Sequence, residues 1–209
     1  MILLKNEIKK AIKKGKIKFS GNIKNIGPNS VDVTLGKTFK TLVPTKIGRT
    51  KNGDYFFKEK KLPKDFFLDV RKENKVYEFE IPDDGIILQP GQLYIAGTIE
   101  IAGSDELVPM YEGRSSMARL GIQSHISAGF GDIGFKDKWT LEIIVVHPIK
   151  IYPDMRIGQV AFHTVNKKAL KKLKRSKELY NSKYSNNNAA KTSLSFKDFD
   201  KNGKPKGRE

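Results

Sequence analysis

The densest chemistry in the chain lies between Glu112 and Glu142. Arg114, Ser115, Ser116 and Arg119 place two permanent cations and two hydroxyls within six residues, with Met117 and Ala118 between them. Such a grouping suits phosphate oxygens, because a guanidinium donates as a planar fork and stays charged at any working pH. The plain alternative is a salt-bridged turn. Next comes Ala128-Gly129-Phe130-Gly131-Asp132, a Gly-rich turn whose main chain can approach a ligand closely. Asp132 could accept from a sugar hydroxyl, or simply make the turn. Glu142 then stands inside the apolar run from Trp139 to Val146. A carboxylate there is costly to bury unless paired or used, and a pKa tuned towards neutrality lets it take a proton from water and return it. Phosphate donors, an acidic group suited to a sugar and a buried carboxylate together point to a nucleotide site.

Composition narrows the chemistry. The 209 residues include no cysteine, which excludes disulfides and the Cys-ligated zinc of nucleobase deaminases. His125, His147 and His163 are scattered rather than clustered, so no protein metal site is expected. The net charge of +17 comes mainly from dispersed lysines, not from arginines interleaved with aromatics. That pattern fits a solvated surface and attraction of anionic substrates better than a nucleic-acid footprint. No signal-peptide-like or membrane-length apolar run is present, so a soluble cytoplasmic protein is expected.

The elements that must position these residues are mostly strands. A short amphipathic helix is expected from Asn6 to Lys14, ending near Gly15. Val31, Val33 and Leu35 alternate with Asp32 and Thr34 as in a half-buried strand, and Val76–Ile81 alternates likewise. Asn52-Gly53 marks a hairpin turn. Leu93–Ala96, Thr98–Ile101, Ile149–Tyr152 and Ile157–Val165 read as further short strands, and Ser116–Leu120 as one helical turn. Short strands at regular spacing with turn signals argue for a sandwich or closed barrel. Residues 167–177 form a basic run, helix or linker. The Ser/Asn/Lys-rich segment beyond Tyr180 should be disordered alone and able to order over a ligand.

The ordered motifs Pro28–Gly36, Leu88–Gln92, Arg114–Arg119, Ala128–Glu142, Tyr152–Gln159 and Lys183-Tyr184 resemble the dCTP deaminase branch of the dCTP deaminase/dUTPase superfamily. The resemblance implies a mainly β, distorted dUTPase-like barrel (β-clip) over residues 1–166, with a short N-terminal helix. Residues 167–209 would be a basic linker and flexible C-terminal arm closing over a nucleotide site. It implies Glu142 as the catalytic acid–base, Ser115 holding the attacking water with the main chain near Ala128, and Arg119 near the catalytic centre or a neighbouring subunit's phosphates. Arg114, Ser116, Met117 and Ala118 would cradle phosphates. Asp132 would read the deoxyribose, and Thr140, Leu141, Gln159, Lys183 and Asn187 would complete substrate binding. Magnesium would arrive bound to the triphosphate, with no zinc. The partners implied are dCTP and dUTP, a homotrimer with sites between subunits, and dTTP as a candidate feedback ligand.

Within the family three activities compete. Glu142 argues against a plain dUTPase. Gly129 and Phe130 before Asp132, together with Gln159, resemble the bifunctional enzymes that carry dCTP to dUMP and pyrophosphate rather than releasing dUTP. Several positions depart from the family pattern: Gly131 replaces an aliphatic residue, Ile133 a proline, Ser127 a threonine and Asn187 a glutamine. A non-catalytic nucleotide- or nucleic-acid-binding relative also stays open.

Overall fold

The computed structural model describes residues 1–176, 184 and 190–206. Strands β1 (Ile17–Phe19), β2 (Val31–Thr41), β3 (Thr45–Arg49), β4 (Tyr55–Glu59), β5 (Tyr77–Glu80) and β6 (Ile86–Leu88) precede the site. They are followed by β7 (Tyr94–Ser104), β8 (Val108–Gly113), β9 (Ile122–Gln123), β10 (Lys138–Val145), β11 (Ile149–Ile151) and β12 (Arg156–His163). Helices are α1 (Lys5–Lys13), α2 (Ser115–Ala118) and α3 (Lys167–Ser176). Among the described residues no helix is long and apolar enough to cross a membrane.

The main sheet runs β8-β12-β2-β7-β10-β9, with β1 added on β7 and β5 on β2. A smaller sheet runs β11-β6-β4-β3. The main sheet nearly closes on itself. Residues 129–131, which lie between β9 and β10 in the chain, return to the β8 edge: Tyr111 N–H donates to Gly129 O at 2.7 Å and Gly131 N–H to Pro109 O at 2.9 Å. Closure of this kind removes the exposed edges that a sheet otherwise leaves unpaired. It also fixes the Gly-rich turn against a rigid strand.

Period-two alternation puts Trp139, Leu141, Ile143 and Val145 of β10 in the core and leaves Thr140 and Glu142 on the other face. The core continues through Val31, Val33, Leu35, Val160 and Phe162, all completely buried. Glu100, only 6 % exposed, ties β7 to β2. It accepts the Thr34 N–H at 2.8 Å and the Thr34 hydroxyl at 2.9 Å.

One detail differs from the sequence expectation. The expected strands Leu93–Ala96 and Thr98–Ile101 form the single strand β7, which runs on through Gly97; a Cβ on Gly36 would lie 3.0 Å from Gly97 O, and Ala190 packs 3.4 Å from the Cβ position of Gly97. The Asn52-Gly53 hairpin joins β3 to β4 through a five-residue connection, Thr50–Asp54, closed by Thr50 N–H on Asp54 O at 2.8 Å.

Candidate active site

A cavity of about 420 Å³ opens beside β10. Ala128, Phe130, Asp132, Thr140 and Glu142, five of the residues singled out from the sequence, share its wall. Glu142 enters it from the middle of β10, opposite Ile95 of β7. Its Oε2 atom is buried and has no hydrogen-bond partner among the described residues. Burial pushes its pKa up; the main-chain amides of Ile126 and of Glu142 itself, and the nearby His125, pull the other way. Such a carboxylate holds its proton closer to neutral pH than a solvated one, the property an acid–base catalyst needs.

The turn before it is shaped by glycines. A Cβ on Gly129 would lie 2.5 Å from Tyr111 O and 3.0 Å from His125 Cε1. One on Gly131 would meet Pro109 Cγ and Trp139 Cη2, each at 2.8 Å. Gly131, where the family pattern expects an aliphatic residue, therefore makes room for the Trp139 ring. Asp132 follows on the cavity wall, in a turn closed by Phe135 N–H on Asp132 O at 3.0 Å.

The C-terminal segment supplies wall residues that the sequence reading did not select: Tyr184, Lys191, Thr192 and Ser193. Lys191 N–H donates to Thr140 Oγ1 at 3.2 Å, and Leu194 N–H to the Tyr184 hydroxyl at 2.9 Å. The Lys191 ammonium donates to Tyr184 O, and burial lowers its pKa. Trp139 of β10 and Phe135 of the loop before it were also missed, because an aromatic in an apolar stretch reads as core. Lys183 and Asn187 lie outside the described residues.

The remaining candidates gather elsewhere. Ser115, Ser116, Ala118 and Arg119 are exposed on α2, while Met117 packs down onto the core. Arg114 precedes α2, with Nε 3.9 Å from Asp32 Oδ1, and Arg156 Nη1 reaches Asp32 Oδ2 at 3.1 Å. Gln159 Oε1 accepts the Ser30 hydroxyl at 2.8 Å. None of these side chains lines the cavity that holds Glu142. Leu141 is completely buried and does not line this cavity. Among the described residues no group of three or more His, Asp or Glu is placed to hold a metal ion.

Comparison with known proteins decides the family. A family model described as dCTP deaminase-like matches residues 2–165. The chain belongs to the dCTP deaminase-like family. The "dCTP deaminase, dUMP-forming" of Clostridium botulinum (strain Eklund 17B / Type B) is 39% identical over 202 residues, covering 96% of this chain and 100% of that one. The protein of the same description from Hathewaya histolytica is 49% identical over 134 residues, 64% of this chain and 73% of its own. The crystal structure of 2'-deoxycytidine 5'-triphosphate deaminase from Agrobacterium tumefaciens superposes with a TM-score of 0.56 at 20% identity, covering 88% of this chain and 54% of that one. That likeness supports the barrel fold of this dCTP deaminase-like chain.

Proposed function

We propose that this protein deaminates dCTP hydrolytically and carries the product on to dUMP and pyrophosphate. The observation that carries the reading is Glu142: a carboxylate with one buried oxygen unpartnered among the described residues, on the wall of a nucleotide-sized cavity. The relatives described as dUMP-forming support the second half. In the first step Glu142 takes a proton from a water that attacks C4 of the cytosine and delivers it to N3. Collapse of the tetrahedral adduct releases ammonia and leaves the uracil nucleotide. In the second step a water attacks the α-phosphate and pyrophosphate leaves. Asp132 would hold the 3′-hydroxyl and bear on that second water. Gly129 and Phe130 would shape the turn that keeps the uracil nucleotide in place for it. Magnesium enters with the substrate, bound to the triphosphate.

Arg114, Ser115, Ser116 and Arg119 belong to the same reading through a second copy. They stand on or beside an exposed helix away from this chain's Glu142 cavity, where Leu120 is 55% exposed and Val146, packed against Gly121, is 65% exposed. A homotrimer that covers this surface would bring a neighbour's α2 to the triphosphate, with Gln159 held by Ser30 behind it. Residues 167–209 would act as the linker and arm over the nucleotide. Tyr184 and Lys191 on the cavity wall support that role, and Lys183 and Asn187 would join them. dTTP, a nucleotide of the same shape, is the candidate feedback ligand.

The test is Glu142→Gln. Retained dCTP binding by calorimetry with deamination lost supports the assignment, and undiminished turnover contradicts it.

A further inference from the structure

We infer that Tyr111 is a positioning residue for the deamination proposed above, holding the 124–129 loop against Glu142. The inference rests on that reading. Tyr111 is 1 % exposed on β8 and grips both ends of the loop. Its amide donates to Gly129 O at 2.7 Å, and its hydroxyl donates to Ser124 Oγ at 2.8 Å. Between those anchors lie Ile126, whose main-chain amide favours the charged form of the Glu142 carboxylate, and Ala128 on the cavity wall that Glu142 shares. His125 sits edge-on to the Tyr111 ring, with centroids 5.3 Å apart and planes at 84°.

The hydroxyl has space only because residue 158 is glycine: a Cβ there would lie 2.2 Å from Tyr111 Oη. Ser124 is 3 % exposed, so water does not substitute for the bond if it is lost. Burial, with the charge on Glu142 acting in the same direction, raises the phenol's pKa, so Tyr111 remains a protonated donor throughout the working range. A phenylalanine would fill the same apolar space against Trp139, 5.8 Å away. What the hydroxyl adds is a fixed address for the loop. The ionisable groups around this corner are Glu142 of β10, His125 of the loop, and Tyr111 and Glu112 of β8. Asp132 and Lys191 lie elsewhere on the cavity wall.

If the loop loses that address, the Ile126 amide withdraws from Glu142. The carboxylate then loses a donor that favours its charged form, and the pH at which it becomes a base rises. Tyr111 touches no reacting atom; its effect passes through the loop.

The experiment is the pH dependence of kcat and KM for dCTP deamination, with thermal melts, in the full chain and its Tyr111→Phe, Ser124→Ala and doubly substituted variants. Tyr111→Phe is expected to lower kcat roughly tenfold at neutral pH, leave KM within about twofold, and move the acid limb to higher pH. The double variant removes both polar partners, so its Tm should recover while the acid limb stays displaced. A Tyr111→Phe limb identical to that of the parent, or a double variant that recovers both Tm and limb, overturns the inference. A parent chain that does not deaminate dCTP at all overturns the reading beneath it, and the inference with it.

Discussion

The Trp139 ring occupies the space that a side chain at residue 131 would need. A Cβ on Gly131 would fall 2.8 Å from Trp139 Cη2 and 3.0 Å from Pro109 O. Gly131→Val should therefore push the ring or the turn, and overpacking of this kind costs about 1–3 kcal/mol. Trp139→Ile in the same chain should restore part of the loss, because it vacates the indole's share of the contested volume while Pro109 stays in place. Thermal melts of the two single variants and the pair check this through the sign of the coupling. Additive effects would mean the two positions do not compete.

Glu142 gives a pH-dependent stability with a definite sign. Its folded-state pKa is raised above the ordinary value of 4.5 by burial. The protonated form's stability is thus fully present below that ordinary value and is lost as pH rises through the folded-state value. Glu142→Gln lacks this loss. Its Tm relative to the parent should rise from mildly acid to neutral pH and then level off, while activity disappears. Melts across pH 4 to 8 measure the difference directly, and a gap that narrows with rising pH would contradict the burial argument.

Thr140 accepts the Lys191 amide at 3.2 Å and so ties the C-terminal segment to the cavity. Thr140→Val keeps the strand's shape and removes the acceptor. KM for dCTP should rise roughly three- to tenfold with kcat nearly unchanged, the scale expected for one hydrogen bond. An unchanged KM would separate this contact from substrate binding.

Glu100 tests the fold rather than the chemistry. It is buried and both its oxygens accept from Thr34. Glu100→Ala leaves the Thr34 donors buried and unpaired, at a cost of about 1–3 kcal/mol. A Tm within a degree of the parent would mean that solvent replaces the bonds.

Much of this architecture was legible because its signals are local. Val31, Val33 and Leu35 declare their buried face by alternation, and β10 declares Glu142 as the polar intruder among Trp139, Leu141 and Ile143. Other features depend on pairs far apart in sequence. Nothing near Gly131 announces Trp139 as its reason, and nothing near Tyr111 announces Gly158 or Ser124. Lys191 and Ser193 lie in a polar segment that reads as solvated, and only the docked position of Ala190 on Gly97 brings them to the cavity. Arg114 and Arg119 read as phosphate ligands from their chemistry, yet the single chain places them away from Glu142. The proposed use of these residues through a second copy is something no periodicity encodes.

The most direct measurement is a time course of dCTP with magnesium and the purified full chain, with all nucleotide products and pyrophosphate quantified. The account predicts dUMP and pyrophosphate in equal amounts, ammonia in step with them, and little free dUTP at any time. Accumulating dUTP would contradict the second half-reaction, and untouched dCTP would contradict the role assigned to Glu142.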